Sequence, residues 1–228
     1  MGKEELISRR VAESLGRAIV HGEYPAGSIL PSEQDLCTLY SVSRTGVREA
    51  LKMLGGKGLI QPRRRVGGIV SARDHWSLLD PDVLRWMRGA AVDIHLLKDL
   101  ARLRLAIEPE AAALAARTGD QKRIALIGEA GHAMSGEPDE ALAADVAFHA
   151  ALLSASGNRF FAALAPMVES ALLMSIPVTN GVKQVPKADV EKHLAIFAAI
   201  RDGRAEDAAG MSRELIAETL RLLEVASA

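Results

Sequence analysis

Asp145 and His149 stand four residues apart in the stretch DVAFH. On a helix that spacing turns about 400°, so both side chains leave nearly the same face, one turn apart. Two kinds of chemistry suit the pair. The carboxylate can accept a hydrogen bond from the imidazole on a half-buried face. Alternatively, both can ligate one metal ion, with further ligands from elsewhere in the chain. A second histidine, His193, lies in EKHLAIFAAI, framed by Leu194, Ile196 and Phe197. Such a histidine is commonly a satisfied core residue. An Asp and two His converging from two helices would nonetheless offer imidazole nitrogens and a carboxylate oxygen to a divalent ion, zinc among the candidates. RLRLAIEPE puts Arg104 and Glu108 at i and i+4, at the start of an apolar run. Arg104 either pairs with Glu108 along its own helix or with the carboxylate of a small ligand; the sequence leaves both open. His21, His75, His95 and His132 have no partner at ligand spacing.

The elements that must position these residues are helical. From Ile94 onward the spacing predicts helices over 94–118, 120–134, 138–156, 158–175, 183–202 and 204–225, broken at GEP, at SGN and at IPVTNGVKQVP. No Val/Ile/Thr alternation suggests a sheet. The expectation is an all-α bundle of about six helices over residues 92–228, able to enclose a pocket. Residues 75–91, which include HWSLLDPDVLRWMRG, read as a linker with a short helix at about 81–88. Trp76 and Trp86 are expected to pack between the domains.

The first third has a different texture. Residues 1–75 hold 12 Lys and Arg against 8 Asp and Glu, a net charge of +4, while the rest hold 16 against 21, a net charge of −5. A basic first part on an acidic remainder hints at nucleic-acid binding. Leu6, Val11, Leu15, Ala18 and Ile19 predict a helix over 5–22, and GEYPAGSILP breaks it. Ser32 can cap a short helix in SEQDLCTLY, with Asp35 three residues on in the capping-box place. Ser43 can cap a third helix whose inward stripe is Val47, Ala50, Leu51 and Leu54, and which Gly55 and Gly56 stop. LIQPRRRVGGIVSA reads as two short strands around a basic turn. These are the parts of a winged helix-turn-helix over residues 1–74. Arg44 and Arg48, with Thr45 beside them, lie on the third helix away from Val47 and Leu51, where guanidinium groups can enter a DNA major groove and pair with guanine.

LPSEQDL followed by VSRTGVREALKMLGGKGLI resembles, almost position by position, the DNA-binding domain of GntR-type bacterial transcription regulators. The resemblance implies operator contacts by Ser32, Ser43, Arg44, Thr45 and Arg48, and a wing tip near Arg65 and Gly67 that reaches towards the minor groove. Gln34 stands where many members have a DNA-contacting arginine. The motifs R-x-x-x-E, D-x-x-F-H and E-x-H-x-x-I over residues 92–224 resemble the helical effector domain of the FadR-like subgroup, the FCD domain. That implies Asp145 and His149 as the first two metal ligands and His193 as the third, with Arg104, Asp145, His149 and His193 around the effector. The family's fourth ligand is a histidine on the last helix. Here that segment reads MSRELIAETL, and the corresponding position, give or take one residue, is Glu214. WSLLDPDVLRWM and the missing histidine also resemble regulators of galactonate and related sugar-acid catabolism, which points to a sugar-acid effector.

Composition agrees with this frame. The chain has 228 residues, is 49% apolar and only 4% aromatic, and is rich in Ala and Leu, which favours helix over a β-sandwich. The single cysteine, Cys37, excludes an intramolecular disulfide and suits a reducing compartment. No 18-residue apolar run spans a membrane, and MGKEELISRR lacks a signal-peptide core, so the cytoplasm is the expected location. The fold class is mainly α, a winged helix-turn-helix of three helices plus a β-hairpin wing followed by the bundle. The expected function is a transcription regulator, a repressor by default. It binds palindromic double-stranded operator DNA as a homodimer and responds to a small carboxylate, with a divalent metal as cofactor. The alternatives are a metal-dependent enzyme acting on a hydroxy acid, or a constitutive DNA-binding protein with an inert helical dimerisation domain.

Overall fold

A computed structural model describes residues 3–61, 63, 68–90, 93–183 and 189–227, with only the backbone described at Lys3 and Glu4. The chain divides into two compact units, Met1–Ala91 and Val92–Ala228.

In the first unit, helix α1 (Lys3–Val20) buries Val11, Leu15 and Ile19, while Leu6 of the expected stripe stays half exposed. Helix α2 (Glu33–Tyr40) opens on the expected capping box. The Asp35 amide donates to Ser32 Oγ, and the Asp35 carboxylate accepts from the Ser32 amide. Helix α3 (Arg44–Gly56) starts where Ser43 Oγ accepts the Gly46 amide at 3.1 Å. It buries Val47, Ala50, Leu51 and Leu54, the stripe read from the sequence. Strands β1 (Ile60–Gln61) and β2 (Ile69–Val70) pair antiparallel, with Ile60 opposite Val70. Arg65 and Gly67 at the expected wing tip lie outside the described residues.

Residues 75–90 are not a free connector. Helix α4 (Pro81–Met87), capped by Asp80, is built into the first unit, and both tryptophans are buried in that unit's own core rather than between domains. The cause is a set of specific contacts. Arg85 makes a two-pronged pair with Glu13 at 2.6 and 2.7 Å. Lys57 holds Asp80 and Asp82, and His21 Nε2 bonds the Trp86 carbonyl at 3.0 Å. The Trp86 ring fills the space beside Gly16, where an added Cβ would fall 2.4 Å from a ring carbon. An indole cannot bend out of the way, so Gly16→Ala is expected to destabilise the first unit by about 1–3 kcal/mol through overpacking. Urea unfolding checks this, and unchanged stability would show that the ring has room to move.

The second unit is all α. It comprises α5 (Ile94–Thr118), α6 (Gln121–Ala133), α7 (Pro138–Ala155), α8 (Arg159–Ala163), α9 (Ala165–Lys183), α10 (Val190–Arg201) and α11 (Ala205–Val225). The seven described helices replace the expected six because the span 158–175 divides at Leu164 and α9 runs on to Lys183. The expected break at 176 fails for a physical reason. Pro177 removes one hydrogen bond, to the Leu173 carbonyl, but its fixed φ suits a helix. The face carrying Leu172, Ser175 and Thr179 stays buried. Helix α5 lies against α11, α7, α10 and α9, so it runs through the middle of the bundle.

Candidate functional site

Five helices of the second unit close around one cavity. Helix α5 brings Arg104, α7 brings Asp145 and His149, and α10 brings His193. Helix α9 lines it with Ser175, Thr179, Asn180 and Lys183, and α11 with Leu215, Thr219 and Leu222. Asp145 Oδ1 lies 3.3 Å from His149 Nε2 and 3.6 Å from His193 Nε2, and the two Nε2 atoms are 3.4 Å apart. All three residues are buried.

The opposite nitrogen of each ring points outward to an acceptor. His149 Nδ1 donates to Glu108 Oε2 at 2.5 Å, and His193 Nδ1 to the Asp189 carbonyl at 2.7 Å. These bonds put the ring protons on Nδ1 and leave the Nε2 lone pairs facing each other and Asp145. Asp145 Oδ1 is buried without a hydrogen-bond partner. Three electron pairs so close repel one another unless a positive charge sits among them. An ion with bonds of about 2.0–2.2 Å in tetrahedral geometry has ligand–ligand edges of about 3.3–3.6 Å. The observed triangle has those edges, so Asp145, His149 and His193 fit a zinc-like divalent ion. His149 Nε2 stays within 3.3 Å of Asp145 Oδ1, and the shorter imidazole bond, from Nδ1 at 2.5 Å, goes to Glu108.

Glu108 is the residue whose role the sequence reading missed. It is fully buried, accepts from Arg104 Nε at 2.6 Å as well as from His149, and so fixes the tautomer and ring orientation of His149, as carboxylates behind metal-binding histidines do. The Arg104 pair with Glu108 therefore exists, and Arg104 still reaches the cavity wall. Its Nη2 lies 3.3 Å from both ring nitrogens of His149. Phe148 packs edge-on against both imidazoles, with ring centroids 5.5 and 5.0 Å away. Burial pushes the Glu108 carboxyl up, but the Arg104 charge and His149 outweigh it and hold it well below the usual carboxylate range. Asp145 is likewise pushed up by burial and, when the imidazoles are protonated on Nε2, held low by His149 and His193. His149 is pushed down by burial yet ends raised, chiefly by the Glu108 charge.

Glu214 is not part of this site. It is exposed on α11, and its neighbour Leu215 lines the cavity. One residue on a helix is a turn of about 100°, enough to move a side chain from the wall to solvent.

The first unit holds the other predicted residues. Ser43, Arg44, Thr45 and Arg48 are exposed on one end of α3. Arg44 Nη2 donates to Gln34 Oε1 at 2.7 Å, and Arg48 Nε to Glu33 Oε2 at 3.0 Å. Ser32 and Ser43 serve as helix caps.

Residues 7–70 match the family described as bacterial regulatory proteins, gntR family, and residues 99–218 match the FCD domain. The galactonate operon transcriptional repressor of Escherichia coli K12 is 32% identical over 222 residues, covering 95% of this chain and 96% of that protein. This chain belongs to the GntR family of transcription regulators and carries an FCD domain. The regulator is also 29% identical over 212 residues to the transcriptional repressor NanR of Klebsiella aerogenes, covering 89% of this chain and 79% of that one. Among solved structures, Streptococcus agalactiae GntR aligns with a TM-score of 0.50 at 26% identity, covering 94% of this chain and 99% of that one. A Listeria monocytogenes structure, reported for Lar, shares the fold with a TM-score of 0.64 at 16% identity, covering 99% and 98%. The family and these relatives are transcription regulators, so the enzyme alternative is set aside. In this regulator the polar strip on α9 runs into IPVTNGVKQVP, whose prolines and glycine suggest a break rather than a helix. The signal was there: Ser175, Thr179, Asn180 and Lys183 repeat at helical spacing.

Proposed function

We propose that this GntR-family regulator represses transcription from a palindromic operator, which it binds as a homodimer, and lets go when a small hydroxy-carboxylate enters the FCD cavity. The convergence of Asp145 Oδ1 and two Nε2 lone pairs beside the Arg104 guanidinium carries this reading. Asp145, His149 and His193 hold a divalent ion, zinc the expected one, which gives an acid's carboxylate and α-hydroxyl a positive anchor. Arg104 pairs with a carboxylate oxygen of the same ligand. A sugar acid of the galactonate type suits this polar cavity, and the named relative's operon supports that choice. Effector and operator then compete through two arrangements of the dimer, because a ligand shifts only an equilibrium whose two states it binds unequally. No helix among the described residues is long and apolar enough to cross a membrane, and the protein works in the cytoplasm.

On the DNA side, Arg44 and Arg48 read bases in the major groove, and Ser32, Gln34, Ser43 and Thr45 place α2 and α3 on the backbone, while Arg65 and Gly67 bring the wing to the minor groove. Arg48→Ala is expected to weaken operator binding by about 1–3 kcal/mol while the melting temperature holds, since the side chain is exposed. Full affinity in that variant would remove Arg48 from the reading head. The switch itself is tested by titrating galactonate into the protein–operator complex and following the fraction of bound DNA. Release supports the proposal; unchanged affinity across a series of sugar acids would leave the helical domain as an inert dimerisation unit.

A further inference from the structure

A second cavity, of about 170 Å³, adjoins the first and is lined by Asp139, Leu142, Asp145, Ile176, Pro177 and Asn180 among others. Asp145, Ile176 and Asn180 belong to both, so the two cavities share a wall at the candidate metal triad. The inner one measures about 60 Å³. At about 10–15 Å³ per water, it has room for the carboxylate and α-hydroxyl end of an acid and little more. Whatever else a longer ligand carries must lie elsewhere, and the adjoining cavity is open to solvent through exposed Pro138, Asp139 and Pro177. Its polar groups are acceptors above all. Asp139 offers a carboxylate and Asn180 an amide that both accepts and donates, which suits hydroxyl groups. Asp139 lies six residues before Asp145 on α7, a rise of about 9 Å. An extended six-carbon chain with a terminal hydroxyl covers that distance, and a three-carbon acid does not.

We propose that this outer cavity is a tail subsite, and that Asp139 and Leu142 give the regulator its preference for long polyhydroxylated acids. The inference rests on the effector reading above, with the head group held at Asp145, His149 and His193. Calorimetric titration of the full-length, zinc-loaded protein separates the two. Glycolate probes the head subsite alone, and six-carbon aldonates such as galactonate and gluconate probe both. The expected result is that glycolate binds weakly, that a six-carbon aldonate binds at least tenfold more tightly, and that Asp139→Ala and Leu142→Trp remove that gain without changing glycolate binding. Asp139 is exposed, so its variant tests the subsite even where the Trp variant fails to fold. Glycolate and aldonate binding equally, or an aldonate gain that survives in both folded variants, overturns the tail subsite and leaves the head-group reading standing. No binding by any of the acids overturns both.

Discussion

Glu108→Leu is expected to destabilise the helical unit by about 3–5 kcal/mol, the cost of leaving a buried charge without its partner. Glu108 is 0% exposed, and Arg104, its 2.6 Å partner, is 2% exposed. With the carboxylate gone, the guanidinium stays buried beside the His149 ring without its anion, and the His149 Nδ1 proton loses its acceptor. Glu108→Gln keeps the shape and one acceptor oxygen, so its stability loss is expected to be smaller. It still weakens the hold on the His149 ring, and zinc affinity is expected to fall about 10–100-fold. Urea unfolding and zinc competition titration measure the two effects separately. A Leu variant as stable as the parent would mean that Arg104 finds another partner. A Gln variant with full zinc affinity would reduce Glu108 to a structural ion-pair partner.

Removing metal is the second large effect. Purified protein is expected to carry one zinc per chain and to lose it to a strong chelator with a drop in melting temperature. An ion present at a hundredfold its dissociation constant adds about 2.7 kcal/mol of stability. His193→Ala deletes one of the three converging ligands and is expected to leave no zinc after gel filtration. Because both imidazoles must bind through unprotonated Nε2, zinc affinity falls as the pH is lowered. Elemental analysis across a pH series checks the stoichiometry and its trend together. Full occupancy in His193→Ala would exclude the ligand set. A chelated protein that melts at the same temperature as the loaded one would exclude a tightly held ion.

Local signals carried most of the fold. Ser32 with Asp35, and Ser43 before an apolar stripe at helical spacing, mark α2 and α3 because capping and amphipathicity act within a few residues. Asp145 and His149 were legible as a pair from their i, i+4 spacing, whereas the ligand role of His193, far along the chain, came from the resemblance to the FCD domain. What escaped was set by contacts between distant segments. Glu108 looked like a partner for Arg104 four residues away, yet it also accepts from His149 across 41 residues. Gly16 carries no hint of Trp86, seventy residues on, whose ring decides that a glycine stands there. The helix through Pro177 survives because its neighbours bury one face, which no rule about proline in a single segment contains. The choice between Glu214 and Leu215 turned on helix phase, which a short motif aligned to within one residue cannot fix.

The pairing of Arg48 with Glu33 has a consequence for how this regulator meets salt. Duplex DNA holds a cloud of condensed cations, and each one displaced by a protein cation makes binding steeper in ionic strength. Arg48 arrives with an anion of its own chain already attached. On the proposed reading, reaching the groove would exchange one partner for another and leave Glu33 to take up a cation from solution. With Arg48 reading the operator as proposed, binding is expected to depend on ionic strength less steeply than the count of arginines on α3 suggests, and Glu33→Gln is expected to steepen that dependence.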